Sequence, residues 1–241
     1  MKFKILCWVA AVGLGVPCSI PVSAGDGSTA GLCLPAVERL ATEALLQTLN
    51  GRLLANPSAS LTLTDWCREH GILGLGETLR AVTSHSDGPE PASLRSDLQV
   101  GDNEPIRHRH VRLYCGTHIV SEADNFFIPA RLSDSMNREL ETSDHPFGLV
   151  VRSLHFVRRT AEVAILWSPL PRGWEADRQL PCEPISDDSI PDGILRHRAI
   201  LVTDVGRPFS EVIEIYQRVV VSVPLRALEN ASWLARMGVS R

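Results

Sequence analysis

Apolar residues recur every three to four positions near the start of the chain, and this spacing predicts two helices. From Leu34 to Leu54 the apolar positions share one face of an amphipathic helix, which we expect to break near Asn50-Gly51. A second helix, capped by Thr62 or Thr64, is predicted to end at Gly71.

Beyond a polar connection over residues 84–105 the pattern changes to an alternation of apolar and polar positions, which is typical of half-buried strands. The predicted strands are Arg107–Tyr114, Ile119–Ile128, Phe156–Trp167, Arg198–Thr203 and Phe209–Val223. A helix over Met136–Leu140 and a closing helix over Leu225–Met237 complete the pattern, and residues 168–193 form a Pro-rich insert.

Short turns join several of these strands, so the sheet is predicted to be mainly antiparallel. The helices at the start, middle and end would cover one face of that sheet. The sequence therefore predicts a single α+β domain over residues 25–241.

The first 24 residues have the pattern of a cleavable signal peptide. Lys2 and Lys4 precede an apolar run over residues 5–16, and the small residues Val22-Ser23-Ala24 follow it. The run is short for a membrane span, which needs about 20 residues. We expect export to the periplasm or the medium after cleavage at Ala24, with an uncleaved anchor as the alternative.

Removing that segment changes the charge balance. Lys2 and Lys4 are the only lysines, so the mature chain keeps 22 arginines against 28 acids, a formal charge of −6. Lysine Schiff-base chemistry and a phosphate-loop lysine are therefore excluded, and the acid excess predicts no nucleic-acid partner. Anions would be bound by arginine, histidine or backbone N–H groups.

Four cysteines remain in the mature chain, which allows two disulfides in three connectivities. We favour Cys33–Cys67, because these two residues bracket the first helical region; Cys182 lies in the insert. The alternative is that Cys115, within an apolar strand, is a buried free thiol. The absence of CxxC spacing speaks against a zinc site.

Three blocks of the sequence resemble the chorismate pyruvate-lyase family, in matching order over about residues 50–223. An early turn, Ser58–Thr62, is similar to that family's Asp-Ser-x-Thr turn. The blocks are the strand pair Arg109–Cys115 and Ala123–Pro129, the turn His145-Pro146-Phe147-Gly148, and the hairpin Gly206-Arg207-Pro208 with the strand Val212–Tyr216. The resemblance implies a chorismate lyase-like α+β fold.

The resemblance also implies a cofactor-independent enzyme that eliminates pyruvate from chorismate, or from a related aromatic precursor, to give a hydroxybenzoate. Arg109 would bind a substrate carboxylate as a planar fork, with Arg112 as a second candidate; direct counting places His110 at the family's arginine position. Glu214, or alternatively Glu211, would manage a proton.

Phe147 and Gly148 would shape the pocket for the aromatic acid, with backbone groups of their turn as anchors. Because chorismate is an intracellular metabolite, the alternative function is a non-catalytic exported binding protein for a small aromatic carboxylic acid. In a third reading, the insert contacts a protein partner.

Other residues carry weaker signals. Glu122 and Asp124 share a strand face, but without a histidine at fixed spacing we predict no metal site. Arg158 and Arg159 could bind an anion, but neighbouring residues of a strand lie on opposite faces, and both arginines are expected to be solvated. The histidines are scattered, and each is expected at the surface or the edge of the core.

Overall fold

The computed structural model describes residues 32–84, 90–176 and 179–230, without the side chains of 84, 187 and 227–230. The predicted signal peptide and most of the predicted closing helix lie outside these residues. Within the described ranges, no helix has both the length and the apolar character needed to cross a bilayer.

The described residues form six α-helices and six strands. The helices are α1 (Leu34–Ala55), α2 (Ala59–Glu69), α3 (Leu94–Asp97), α4 (Asp134–Thr142), α5 (Phe147–Val150) and α6 (Val219–Asn230). The strands are β1 (Arg80–Ser84), β2 (Arg107–Cys115), β3 (His118–Phe127), β4 (Val157–Ile165), β5 (Gly193–Val202) and β6 (Pro208–Gln217).

The strands form one sheet in the order β1-β2-β3-β6-β5-β4, and every neighbouring pair is antiparallel. This confirms the predicted α+β fold with an antiparallel sheet. The inner face, which we define as the face that carries Val111, Ala123 and Val212, packs against α1, α2, α4, α5 and α6. On the outer face, Leu94 of the short helix α3 and Leu98, directly after it, pack with Phe126 and Ile213.

Several elements differ from the prediction. Helix α2 begins at Ala59 with Ser58 as its N-cap, and not at Thr62 or Thr64, and β5 begins at Gly193 instead of Arg198. Helix α1 continues through Gly51 to Ala55, because a glycine costs a helix only about 1 kcal/mol and the buried Leu46, Leu49 and Leu53 hold it to the core. Strand β1 was not predicted. Strand β6 ends at Gln217, and the β-branched run that follows it is the first turn of α6, with Pro224 inside the helix.

The disulfides connect Cys33 with Cys182 and Cys67 with Cys115. The predicted Cys33–Cys67 pair is therefore wrong, and Cys115 is not a free thiol. Sequence proximity was a poor guide, because the sheet brings the end of β2 under α2 while the insert folds back onto the start of α1. Both Cys67 and Cys115 are fully buried.

Candidate functional site

A small cavity lies on the inner face of the sheet, between the sheet, the start of α2 and α5. Its volume is about 30 Å³, which is room for about two water molecules. Its walls combine aromatic rings, hydroxyl groups and an ion pair: Ser58, Ser60, Phe147, Phe156, Arg158 and Glu214. The cavity thus joins apolar surface with a few polar groups, as ligand sites do.

The N-terminus of α2 forms one side of this cavity. Ser58 is the N-cap and accepts a hydrogen bond from the Leu61 N–H at 3.3 Å. The N–H groups of Ala59 and Ser60 belong to the first turn, where no helical carbonyl is available to them. Since the helix dipole is positive at this end, the cavity wall favours a negatively charged group.

Arg158 and Glu214 form a buried ion pair beside that helix end. Arg158 Nη2 donates to Glu214 Oε2 at 2.6 Å, and the two side chains are 3% and 9% exposed. The Tyr216 hydroxyl donates to the same carboxylate oxygen at 3.0 Å, and burial raises the pKa of Tyr216 well above its ordinary value. Arg158 Nε has no hydrogen-bond partner among the described residues.

His197 lies directly opposite Glu214 on the neighbouring strand and is fully buried. Its Nε2 donates to Asn50 Oδ1 at 2.9 Å, which leaves the buried Nδ1 without a partner in the described part of the chain. Burial, followed by the charge of Arg158, lowers the pKa of His197 to about 4. The imidazole is therefore neutral at physiological pH. The Glu214 carboxylate interacts with Arg158 and Tyr216, and not with a charged histidine.

Arg109 also points to the inner face, where it is 6% exposed. Its Nη2 donates to the carbonyl oxygen of His145 at 3.3 Å, but Nε and Nη1 have no partner among the residues described. Burial lowers the pKa of Arg109, yet arginine stays protonated in proteins. Its cross-strand neighbour Asn125 lines the cavity, as does Phe147, two residues after His145.

Helix α5 touches the start of α2 through Gly148. A Cβ atom on Gly148 would lie 3.0 Å from Ser58 Oγ and 3.3 Å from Ser60 Oγ. The glycine therefore allows the two helices to approach closely and close the cavity.

We expect Gly148→Ala to lower the free energy of unfolding by about 1–3 kcal/mol, because the added methyl group pushes against the Ser58 cap. Gly51→Ala is the matched control. No atom lies within 4 Å of a Cβ on Gly51, so alanine there should stabilise α1 by about 0.5–1 kcal/mol. Urea denaturation of both variants measures the difference, and equal effects of the two would contradict the close contact.

The structure places Glu214, Phe147 and Gly148 in the wall of the cavity, whereas Arg109 lies on the inner face without lining it. Their predicted roles stay predictions. The structure does not bring Arg112 to the inner face: this residue lies on the outer face, where its Nε donates to Glu122 Oε1 at 2.9 Å. Arg112 therefore cannot reach the cavity, where its predicted substrate-binding role would place it. Arg112 lies between Val111 and Leu113, whose side chains both point to the inner face. Because successive residues of a strand point to opposite faces, a shift of one residue decides on which face an arginine lies.

The alternative glutamate, Glu211, also lies on the outer face. It is fully buried, and Arg198 Nη1 donates to it at 2.9 Å and to Asp97 of α3 at 2.9 Å. Burial raises the pKa of Glu211. This group fixes α3 to the sheet and is not part of the cavity.

Two histidines share one carboxylate on the outer face. His108 Nε2 and His110 Nδ1 lie 2.7 and 2.8 Å from Asp124 Oδ1. No group of three or more His, Cys, Asp or Glu side chains arranged to hold a metal ion is found among the described residues.

Sequence reasoning missed Arg158, Tyr216 and His197 as members of the site. The alternation of inner and outer side chains along these strands was predicted correctly, and it places Arg158 on one face and Arg159 on the other. The missing information was which face the helices cover. Arg158 lies on the covered face, so its predicted solvation is wrong, whereas Arg159 is exposed.

Comparison with known proteins gives one clear relative and several distant structures. No family model matches the chain. Over 190 residues the chain is 45% identical to the uncharacterized protein y4mC of Sinorhizobium fredii (strain NBRC 101917 / NGR234), an alignment that covers 78% of this chain and 80% of y4mC.

Among solved structures, PhnF from Mycobacterium smegmatis is 14% identical with a TM-score of 0.42, and the match covers 66% of this chain and 64%, less than two thirds, of PhnF. The ligand-binding domain of a putative GntR-family transcriptional regulator from Bordetella bronchiseptica is 15% identical with a TM-score of 0.38, covering 60% of this chain and 86% of that domain.

Proposed function

Because the chain belongs to the family of the Sinorhizobium fredii protein y4mC, whose name states no activity, we propose a function from the site itself: the protein binds a small aromatic carboxylic acid on the inner face of its sheet. The observation that carries this proposal is the presence of unused N–H donors on two buried guanidinium groups: Arg158, in the wall of the cavity, and Arg109, on the same face of the sheet but outside that wall. A buried unpaired donor costs about 1–3 kcal/mol, and a charged one costs more. A carboxylate would satisfy these donors.

The remaining groups define the rest of the ligand. Phe147 and Phe156 offer ring surfaces for an aromatic body. The first-turn N–H groups of α2 add donors for the acid group, and the Glu214 carboxylate, at the cavity wall, can accept a hydrogen bond from a ring hydroxyl. A hydroxylated aromatic acid matches this combination of apolar walls, donors and one acceptor.

The cavity, at about 30 Å³, is smaller than the roughly 150 Å³ that holds a benzene ring. We therefore propose that ligand entry moves α5 away from the start of α2. The contact between Gly148 and the serine hydroxyls is the place where the two helices would separate, because α5 is a single turn between two irregular connections.

Titration calorimetry with 4-hydroxybenzoate tests the proposal, with 4-hydroxybenzyl alcohol as the uncharged analogue. We expect the acid to bind and the alcohol to bind at least tenfold more weakly, because only the acid satisfies the arginines. Arg109→Met should weaken binding of the acid at least tenfold. Arg112→Met, on the same strand but the outer face, should change it less than twofold.

Equal losses in the two arginine variants would show that the inner face is not the binding site. No heat signal and no shift in melting temperature with 4-hydroxybenzoate, benzoate or 3-hydroxybenzoate would remove the aromatic-acid proposal altogether.

A second candidate is elimination of pyruvate from chorismate by the same site. It is favoured by one observation, the placement of Arg109 and Glu214 on the same buried face. Against it, Glu214 Oε2 already accepts two hydrogen bonds, which leaves Oε1 as the oxygen that could contact a substrate. Release of pyruvate from chorismate, lost in Glu214→Gln, would establish this activity; its absence at high protein concentration would leave binding alone.

We also propose that the protein works outside the cytoplasm. Disulfides persist in oxidising compartments and are rare in the cytosol of mesophiles, and two of them tie this chain. The expected signal peptide at the start of the chain agrees with this placement. An N-terminal sequence of exported protein that begins at Gly25 would support both statements.

A further inference from the structure

The two disulfides lie in opposite surroundings. Cys67 and Cys115 are fully buried beneath α2. Cys182 is exposed and Cys33 is partly exposed at the start of α1. Reduction begins when a thiolate reaches one of the two sulfur atoms, so access decides which disulfide reacts first.

The accessible disulfide holds a particular segment, residues 179–192 of the insert, which we call the strap. Arg39 on α1 supports the same attachment, because its Nε and Nη2 donate to the Glu183 carbonyl at 3.3 and 3.0 Å. At the other end of the strap, the backbone N–H of Arg218 donates to the Asp192 carbonyl at 2.7 Å. The strap is thus fixed covalently at one end and by backbone pairing at the other.

A second cavity, of about 210 Å³, lies beneath the strap. Ile185 and Ile190 of the strap form one wall, while Thr42 of α1 and Val221 of α6 belong to the others. This volume is several times that of the inner-face cavity and exceeds the roughly 150 Å³ that holds a benzene ring.

We propose that Cys33–Cys182 is a reducible latch that keeps the strap over this cavity. A dithiol reductant breaks the S–S bond by thiol–disulfide exchange: the two cysteines become thiols, and the dithiol is oxidised to its own disulfide. Cys67–Cys115 stays closed because no thiolate reaches it. The strap then leaves α1, and the cavity, whose walls include the apolar Ile185, Ile190 and Val221, becomes accessible.

Titration of the intact folded protein with dithiothreitol, followed by alkylation and peptide mass mapping, tests the order of reduction. We expect Cys33 and Cys182 to be labelled at a dithiothreitol concentration at least tenfold lower than Cys67 and Cys115. Labelling of all four cysteines together would show that reduction accompanies global unfolding, and it would overturn the proposal.

Hydrogen–deuterium exchange tests the release of the strap. In the partly reduced protein, peptides from residues 179–192 should exchange at least tenfold faster, peptides from β3 and β6 should not change, and the fluorescence of the apolar probe ANS should rise. Unchanged exchange of the strap, or unchanged ANS emission once the strap is released, would contradict the latch.

Two variants complete the test. Cys33→Ser/Cys182→Ser should show the fast strap exchange without reductant and no further change when reductant is added. Arg39→Gln, with the disulfide intact, should raise strap exchange by less than the double variant does. An equal or larger rise in Arg39→Gln would assign the latch to Arg39 and not to the disulfide.

Discussion

Replacing Arg158 with methionine should lower the free energy of unfolding by about 3–5 kcal/mol, the usual cost of leaving one partner of a buried ion pair alone. The guanidinium is the only cation that contacts Glu214 among the described residues, and both side chains are nearly inaccessible to water. Without it, the Tyr216 hydroxyl is the sole described hydrogen-bond donor to a buried carboxylate. Urea denaturation gives the value directly.

The neighbouring arginine is a matched control. Arg159 follows Arg158 on β4 but points to the outer face and is exposed, so Arg159→Met should change stability by no more than about 0.5 kcal/mol. Arg158→Met combined with Glu214→Leu should recover most of the loss, because replacing both charges by apolar groups removes the uncompensated one. If the double variant is as unstable as Arg158→Met, the loss of stability does not come from the uncompensated charge of Glu214.

Stability should fall as the pH drops from 7 to 4.5, and His197 should account for about 2–3 kcal/mol of that fall. The pKa of this histidine is about 4 in the folded protein and 6.5 for the free side chain. Between pH 6.5 and pH 4, the unfolded state therefore binds a proton on His197 that the folded state does not bind. The stability that the folded protein keeps while His197 is neutral is fully present above pH 6.5 and is lost as the pH falls toward 4.

Burial, more than the charges around it, explains why His197 resists protonation. Arg158 repels an imidazolium, Glu214 opposes that effect, and burial outweighs both. Asn50 Oδ1 accepts from Nε2, and Tyr216 packs edge-on against the ring at 5.4 Å between centroids. A cationic imidazole would also compete with Arg158 for Glu214.

His197→Gln removes this titration while keeping an N–H donor for Asn50. The variant should lose about 2–3 kcal/mol less stability than the parent between pH 7 and pH 4.5. The exposed His118 is the control, and His118→Gln should follow the parent. Other shifted groups, such as His70 and Glu211, are present in all three proteins and cancel in the comparison. An identical pH dependence in His197→Gln would refute the assignment.

The strands were predictable where one face is buried and the other is not. In β2 the buried positions Arg109, Val111, Leu113 and Cys115 alternate with more exposed ones, so the period of two is visible in the sequence. Strand β1 has five residues, too few to show a period. The start of α6 reads Val219-Val220-Val221, and β-branched residues favour a strand unless tertiary contacts decide otherwise.

The candidate site was only partly predictable for a different reason. Alternation tells which residues share a face, and it correctly grouped Arg109 with the apolar positions of β2. It does not tell which partner a long side chain reaches. Arg158 and Glu214 are 56 residues apart in sequence and on non-adjacent strands, so their pairing depends on the strand order. Disulfide connectivity has the same dependence.

Strand β4 has no neighbouring strand on one of its two sides among the described residues, which has a consequence for how the protein behaves at high concentration. An unpaired strand offers free N–H and C=O groups on which a second sheet could grow. In β4 the register shifts between Thr160 and Glu162, and the charged Arg159 and Glu162 flank that irregularity. A bulge and exposed charges both hinder edge-to-edge pairing of sheets. We therefore expect this edge strand to resist fibre growth, even though the apolar side chains of Val163 and Ile165 are exposed.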